Sequence, residues 1–403
     1  MIVRSFPKLN TALASPLISP LVQTGIKTGI KSGINEAKFP TSSALLPEQD
    51  GQVDVPINDI EGAGLRDQLV DWGIGLQPKG TLGEGTGVNP FTNVKEEISN
   101  LDSEMLRLID TKPSALKEAA GYFWGLRSGG KKIRPAVLFL ISKSLPSTGA
   151  TVLPTQRRLA CITEMIHTAS LFHDDVIDKG EIRRGNKTAN EMFGNKMAIL
   201  GGDFLLAKAS VSLARLRNLE VTELMSGVIE HLVRGEVMQI KGGGGLDGYL
   251  GKNFFKTSSL IANSAMSTAI LGDAPAEYVR ESYLYGKYLG NAFQLVDDVL
   301  DFEGNVEVLG KERYGDLRSG LATGPALFAE ETRPEMRELR LRKFRGGGDI
   351  QRALDIIYST DAIERTKDLA RVNAEMARDV VEGWGGERDA LRELCRIVVD
   401  REK

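Results

Sequence analysis

The chain has 403 residues, with 51 Lys and Arg against 54 Asp and Glu, a formal net charge of -3, and 41% apolar side chains. That length suffices for one helical core of about 300 residues or for two ordinary domains. The near balance of charge excludes bulk attraction to nucleic acid or to an anionic membrane, so affinity for an anion must come from local clusters. Cys161 and Cys395 lie far apart and outside any Cys-x-x-Cys pattern, which excludes a disulfide framework and a zinc site and fits a reducing compartment.

Residues 1–35 carry Arg4, Lys8, Lys27 and Lys31 among many Ser and Thr, with no acid before Glu36. This composition predicts a mitochondrial presequence, although Pro7, Pro16 and Pro20 interrupt any helix there. The Gly-Ile-Lys echo at 25–34 is too short for a repeat architecture and reads as low complexity. Residues 36–88 read as a disordered glycine-rich linker, because eight glycines among polar residues from Glu61 to Gly87 bury too little apolar surface to offset ordering. The folded domain is expected over 89–403.

From Asn89 onward apolar residues recur at three- and four-residue spacing, as in Val94, Ile98, Leu101, Met105 and Leu108. Good helix formers fill Leu159 to Ile177, Met197 to Leu216, Val221 to Ile240, Ser258 to Leu271, Glu277 to Phe302 and Arg352 to Val381, and alternating strand patterns are missing. The fold class is therefore all-α, broken at the glycine-rich points 128–130, 242–245, 310–324 and 346–348. Apolar runs such as Ala136 to Ile141 fall far short of the roughly 20 residues that span a bilayer.

Two segments carry the chemistry: His173-Asp174-Asp175-Val176-Ile177-Asp178 and Gln294-Leu295-Val296-Asp297-Asp298-Val299-Leu300-Asp301. Residues one turn apart share a helix face, so Asp174 stacks with Asp178 and Asp297 with Asp301. Three carboxylates on one turn repel one another, and a hard divalent cation relieves that cost. Oxygen-only ligands suit magnesium, which completes its shell with water and substrate phosphate. A single acidic cluster more often marks a solvated face or a cap. These two sit in apolar text, after Ala169-Ser170-Leu171-Phe172 and Ala292-Phe293, which favours a metal site.

Complementary cations occur in tight patterns. Gly129-Gly130-Lys131-Lys132-Ile133-Arg134-Pro135 places bases at a helix start, where free amides and the macrodipole favour an anion. Arg183-Arg184 follows the first acidic motif, and Lys256-Thr257 and Gly310-Lys311 come later. His167 stands two turns before Asp174 on the same face. Each alone is usually a solvated base or a satisfied core histidine; together they point to a diphosphate site.

These residues resemble the trans-isoprenyl diphosphate synthases, and within them the mitochondrial long-chain hexaprenyl, solanesyl and decaprenyl diphosphate synthases of ubiquinone biosynthesis. The resemblance runs from about Asn89 to the C-terminus. It rests on 129–135, Ile-His-Thr-Ala-Ser at 166–170, both acidic motifs and their separation, Arg183-Arg184-Gly185, Gly202-Asp203, Lys256-Thr257, Phe293-Gln294 and Gly310-Lys311. It implies an isoprenoid-synthase-type helical bundle around a deep central cavity. It implies that Lys131, Arg134, His167 and Arg184 hold isopentenyl diphosphate. Arg183, Lys256, Thr257, Gln294 and Lys311 would contact the allylic diphosphate, farnesyl or geranylgeranyl. About three magnesium ions would lie on Asp174, Asp175, Asp178, Asp297, Asp298 and Asp301, the last partly through water. Asp174, Asp175, Asp178, Asp297, Asp298 and Lys256 are the expected catalytic groups.

Small Ala169 and Ser170, where short-chain members carry bulky rings, predict a tunnel open to a chain of roughly six to ten isoprene units. The family also implies a homodimer, with the first core helices as a candidate interface, and loose membrane association for product release. Lys132 stands where arginine is common, Gly324 where alanine is usual, and the 242–245 run is short for a variable loop. A non-catalytic partner subunit is the main rival, but such subunits lose aspartates or bases that this chain keeps. Cyclases and head-to-head synthases differ at the second metal motif.

Overall fold

The computed structural model of the protein describes residues 77–112, 114–125, 132–183, 185–242, 244–304 and 313–401. The expected presequence and the expected site residues Lys131, Arg184 and Lys311 lie outside these residues. The described helices are α1 (Lys95–Leu108), α2 (Ser114–Gly125), α3 (Ile133–Ser144), α4 (Pro154–Ile177), α5 (Ala189–Phe193), α6 (Asn195–Ala214), α7 (Leu219–Lys241) and α8 (Gly245–Asn253). A π-helical segment (Phe254–Ser258) leads into α9 (Ser259–Leu271) and α10 (Ala276–Glu303). Then come α11 (Gly315–Arg318), α12 (Gly324–Thr332), α13 (Glu335–Leu341), α14 (Asp349–Tyr358), α15 (Ala362–Val380) and α16 (Arg388–Asp400). The chain is all-α, with one two-residue antiparallel hairpin, β1 (Ile182–Arg183) on β2 (Asn186–Lys187), between α4 and α5.

Local chemistry sets the long helices. α4 opens with Pro154, whose fixed φ and missing N–H suit the first turn, and the Gln156 side chain accepts from the Leu153 amide at 2.9 Å. Asn218 caps α7 by accepting from the Val221 amide at 2.9 Å. The 28 residues of α10 span about 42 Å at 1.5 Å per residue. Its N-terminal half packs in one apolar core with α1, α3, α4, α6 and α9, while Leu295, Val296, Val299 and Phe302 belong to a second core with α8, α12, α14 and α15. The second acidic motif thus sits on the rod that joins both cores.

α9 runs between α4 and α10 and is buried over nearly its whole length. Two buried hydroxyl contacts tie this region to its neighbours: Thr163 on α4 donates to Ser264 on α9 at 2.9 Å, and Ser258, at the end of the π-helical segment, donates to Asn291 on α10 at 2.5 Å. Close approach of α10 to this region requires glycine. A Cβ on Gly286 would lie 2.8 Å from the Ala262 Cα, and one on Gly290 would lie 2.7 Å from the Ser258 Cα.

The structure departs from the sequence reading at four places. The helix expected over 352–381 is two, because the Ser359 and Thr360 hydroxyls donate to the Ile356 and Ile357 carbonyls at 2.8 and 2.9 Å and so close α14. Residues 79–93, part of which reads as linker, lie along α15 and α16: the Lys79 amide donates to Asp379 at 2.6 Å, the Thr86 amide to Glu393 at 2.9 Å, and the Asn93 side chain to Glu387 at 2.5 Å. Exposed large apolar side chains fall on α6 and α7 (Ile199, Leu200, Val211, Val233, Val237 and Ile240), with Leu106 the one such residue in α1 to α3 among the described residues. Finally, the helix at Asn195–Leu216 is long and apolar enough to cross a membrane by length and composition, a stretch that the search for unbroken apolar runs passed over.

Replacing Gly290 by Ala sets a helix-propensity gain of up to about 1 kcal/mol against a backbone clash of about 1–3 kcal/mol. The clash is with main chain and cannot rotate away, so G290A should lower stability by about 1–2 kcal/mol in denaturant unfolding; an unchanged midpoint would show that α10 can shift off α9.

Candidate active site

The first acidic motif ends α4, where the Asp178 amide still donates to the Asp174 carbonyl at 2.8 Å before Lys179 turns left-handed at φ 54°. Asp175 is buried, at 3% exposure, and takes a forked guanidinium from Arg183: Nε donates to Oδ1 at 2.9 Å and to Oδ2 at 3.1 Å, and Nη2 donates to Oδ1 at 2.7 Å. The hairpin is thereby folded back on the motif, and Arg183 meets a carboxylate where the sequence assigns it a diphosphate. Asp174 faces Lys256, whose Nζ lies 4.0 Å from Oδ1, and Asp178 is exposed at the helix end.

Lys256 projects from the π-helical segment, a local widening of the helix found frequently at functional sites. Its Nζ donates to Glu236 Oε2 at 2.5 Å and to Gln239 Oε1 at 3.1 Å, both on α7. The next residue, Thr257, donates to Gln294 Oε1 at 2.7 Å, and Gln294 Nε2 donates to Asp298 Oδ1 at 3.0 Å. Adjacent residues of one helical turn therefore reach the two acidic motifs, Asp174 through Lys256 and Asp298 through Thr257 and Gln294.

In the second motif the three carboxylates differ sharply in surroundings. Asp298 is 3% exposed and also accepts from the Tyr249 hydroxyl at 2.5 Å; Gly324, on α12, leaves room for that hydroxyl. Asp301 is fully buried, and its two oxygens accept from the Gly315 and Asp316 amides at 3.2 Å each, so it caps α11. Asp297 faces outward and takes Nη2 of Arg401 at 2.6 Å, while that guanidinium stacks 3.8 Å from the Phe293 ring centroid.

Of the other expected residues, Arg134 is the second residue of α3 and half-buried, as is His167 on α4. Lys132 turns aside to Asp102 at 2.7 Å and Glu164 at 3.8 Å, which makes it a structural cation. Ala169 is fully buried and Ser170 donates to its own helix at His167, 2.8 Å away. Phe172, nearer the motif, packs edge-on against Phe123 with centroids 5.2 Å apart. Sequence reasoning missed Glu236, Gln239, Tyr249 and Arg401. Glu236 and Gln239 share a helix face at three-residue spacing, a signal present in the text but indistinguishable there from a solvated edge.

Among the described residues no three acidic, histidine or cysteine side chains already stand together as a cage for a cation. The donor set nonetheless fits magnesium, which is held by one or two carboxylates and completed by water and substrate phosphate. Asp174 shows the unmet need: burial pushes its carboxyl up to about 6, with Glu236 and Asp178 adding repulsion and Lys256 opposing them. Burial likewise raises Asp298 despite Lys252, Tyr249 and Gln294.

A family model for polyprenyl synthetase matches residues 113–357. A "Prenyl transferase" of Synechocystis sp. is 43% identical over 323 residues, covering 77% of this chain and 97% of that protein. A "Probable hexaprenyl pyrophosphate synthase, mitochondrial" of Neurospora crassa is 40% identical over 380 residues, covering 81% and 84%. Among solved structures, a polyprenyl synthase from Caulobacter crescentus complexed with calcium and isoprenyl diphosphate is 27% identical with TM-score 0.71, covering 78% of this chain and 97% of that one.

Burial holds the folded Asp174 carboxyl well above its ordinary range, so the cost of burying its charge is present above about pH 6 and is relieved as pH falls toward 4. In EDTA at pH 7.5, Asp174→Asn should raise stability by about 1–3 kcal/mol, with the gain vanishing near pH 4. Loss of stability at both pH values would contradict the assignment of burial as the dominant cause.

Proposed function

The chain is a prenyltransferase of the polyprenyl synthetase family, and from that premise we propose that it is a long-chain all-trans-polyprenyl diphosphate synthase. It lengthens farnesyl or geranylgeranyl diphosphate by repeated condensation with isopentenyl diphosphate. The observation that carries this reading is the single π-helical turn whose Lys256 and Thr257 reach toward both acidic motifs. An anion seated there meets a cation and a hydroxyl between two banks of carboxylates, which suits a diphosphate bridged by divalent ions and little else.

Asp174, Asp175, Asp178, Asp297, Asp298 and Asp301 would hold about three magnesium ions, with Asp301 acting through water because its oxygens cap α11. When bound there, magnesium would supply positive charge against the charge that builds on the departing diphosphate. Lys256, Arg183, Thr257, Gln294 and Lys311 orient that diphosphate and add donors where charge develops. Arg183 must release Asp175 to do so, and the incoming phosphate replaces the carboxylate as its partner. The allylic C–O bond then breaks. The double bond of isopentenyl diphosphate, held by Lys131, Arg134, His167 and Arg184, attacks the resulting carbocation, and the released diphosphate takes the proton. No protein general base is required.

Ala169 and Ser170, five and four residues before Asp174 on α4, are both small, which supports a product of roughly six to ten isoprene units. A role in making the ubiquinone side chain, a mitochondrial location with 1–35 as presequence, and loose association with a membrane fit the mitochondrial name of the Neurospora crassa relative. A homodimer would cover the exposed apolar face of α6 and α7.

Purified protein with radiolabelled isopentenyl diphosphate, farnesyl diphosphate and magnesium should yield a long polyprenyl diphosphate, and EDTA should abolish the reaction. Asp174→Ala should cut kcat/KM at least about 100-fold. Ala169→Phe or Ser170→Phe should shorten the product by mass spectrometry. Absence of a lipid product from the wild type would favour a non-catalytic partner subunit, and an unchanged length distribution in both Phe variants would remove the tunnel assignment.

A further inference from the structure

Asp298 is buried, and each of its two oxygens accepts from a side chain of another residue. Gln294 Nε2 donates to Oδ1 at 3.0 Å and the Tyr249 hydroxyl to Oδ2 at 2.5 Å. Tyr249 itself is 4% exposed, and Lys252 Nζ sits 5.3 Å from its ring centroid. A phenol has one proton to donate, and here that proton is committed to Asp298.

The space for this phenol is specific. A Cβ at position 324 would fall 3.1 Å from the Tyr249 hydroxyl and 2.7 Å from Thr366 Cγ2. Thr366 is fully buried and bound to its own helix, its hydroxyl donating to the Ala362 carbonyl at 2.8 Å, so it has little room to yield. Glycine at 324 is what lets α12 and the phenol share the pocket behind Asp298.

We propose that Tyr249 is a positioning residue for Asp298, fixing from behind, through the Gly324 turn, the carboxylate that faces the cation carried by the diphosphate substrate. This rests on the functional reading above. Two donors, Gln294 and Tyr249, hold the carboxyl group in one rotamer. Partners of this kind behind metal-binding carboxylates are typically worth 10- to 100-fold in metal affinity.

The test uses the full chain with magnesium and inorganic diphosphate, read by thermal shift, alongside steady-state kinetics. Tyr249→Phe should raise the magnesium concentration for half-maximal thermal shift about tenfold or more. It should lower kcat at fixed magnesium while leaving KM for isopentenyl diphosphate unchanged, and excess magnesium should restore part of kcat. Gly324→Ala, which keeps the phenol but displaces it, should move the magnesium midpoint in the same direction, and the double variant should be no worse than the poorer single one. If Tyr249→Phe does not fold, the Gly324→Ala midpoint decides alone. A lower unfolding temperature in EDTA with an unmoved magnesium midpoint would make Tyr249 merely structural and overturn the inference. Absence of any magnesium-dependent shift in the wild type would instead overturn the functional reading.

Discussion

Lys256 is the charge on which the candidate site balances. Its ammonium lies between Glu236 on α7 and Asp174 at the end of α4, and those carboxylates repel each other in a setting from which water is largely excluded. Removing the cation would leave uncompensated buried charge, a state that costs several kcal/mol unless the acids take up protons. The π-helical turn places this lysine: in that turn consecutive side chains, Lys256 and Thr257, serve different helices. Everything that distinguishes the interior of this bundle from an ordinary apolar core follows from the need to hold that turn between two acidic helices.

The two acidic motifs resemble each other in spelling and differ in situation. Asp175, Asp298 and Asp301 are each occupied by protein donors; Asp174 lies 4.0 Å from the Lys256 ammonium, Asp178 is exposed at the end of α4, and Asp297 holds Arg401. Arg183 on Asp175 and Arg401 on Asp297 act as stand-ins for positive charge, a role that bound cations would take over when substrate arrives.

The helical fold was legible because three- and four-residue apolar spacing persists through nearly the whole of 89–400. The acidic motifs were legible because charge within apolar helical text has no cheap structural explanation. Glu236, Gln239 and Tyr249 were not, since one polar residue per turn looks the same whether it faces solvent or a buried ammonium. Arg401 escaped notice for another reason: its partner Asp297 lies more than a hundred positions earlier, and no local pattern links them. The break at Ser359 and Thr360 was hidden because apolar spacing continues across it, while the hydroxyl bonds to the Ile356 and Ile357 carbonyls that end α14 leave no mark on that spacing. Gly324, which departs from the family pattern, becomes intelligible only when the Tyr249 hydroxyl and the Thr366 methyl are seen on either side of it.

The central claim is that carboxylates from α4 and α10 share one ligand. Crystals of the protein grown with manganese and inorganic diphosphate would test it by anomalous scattering at the metal edge. The account predicts metal ions bridging the diphosphate to Asp174 on one side and to Asp297 or Asp298 on the other. Metal bound at one motif alone, with the diphosphate elsewhere, would contradict it.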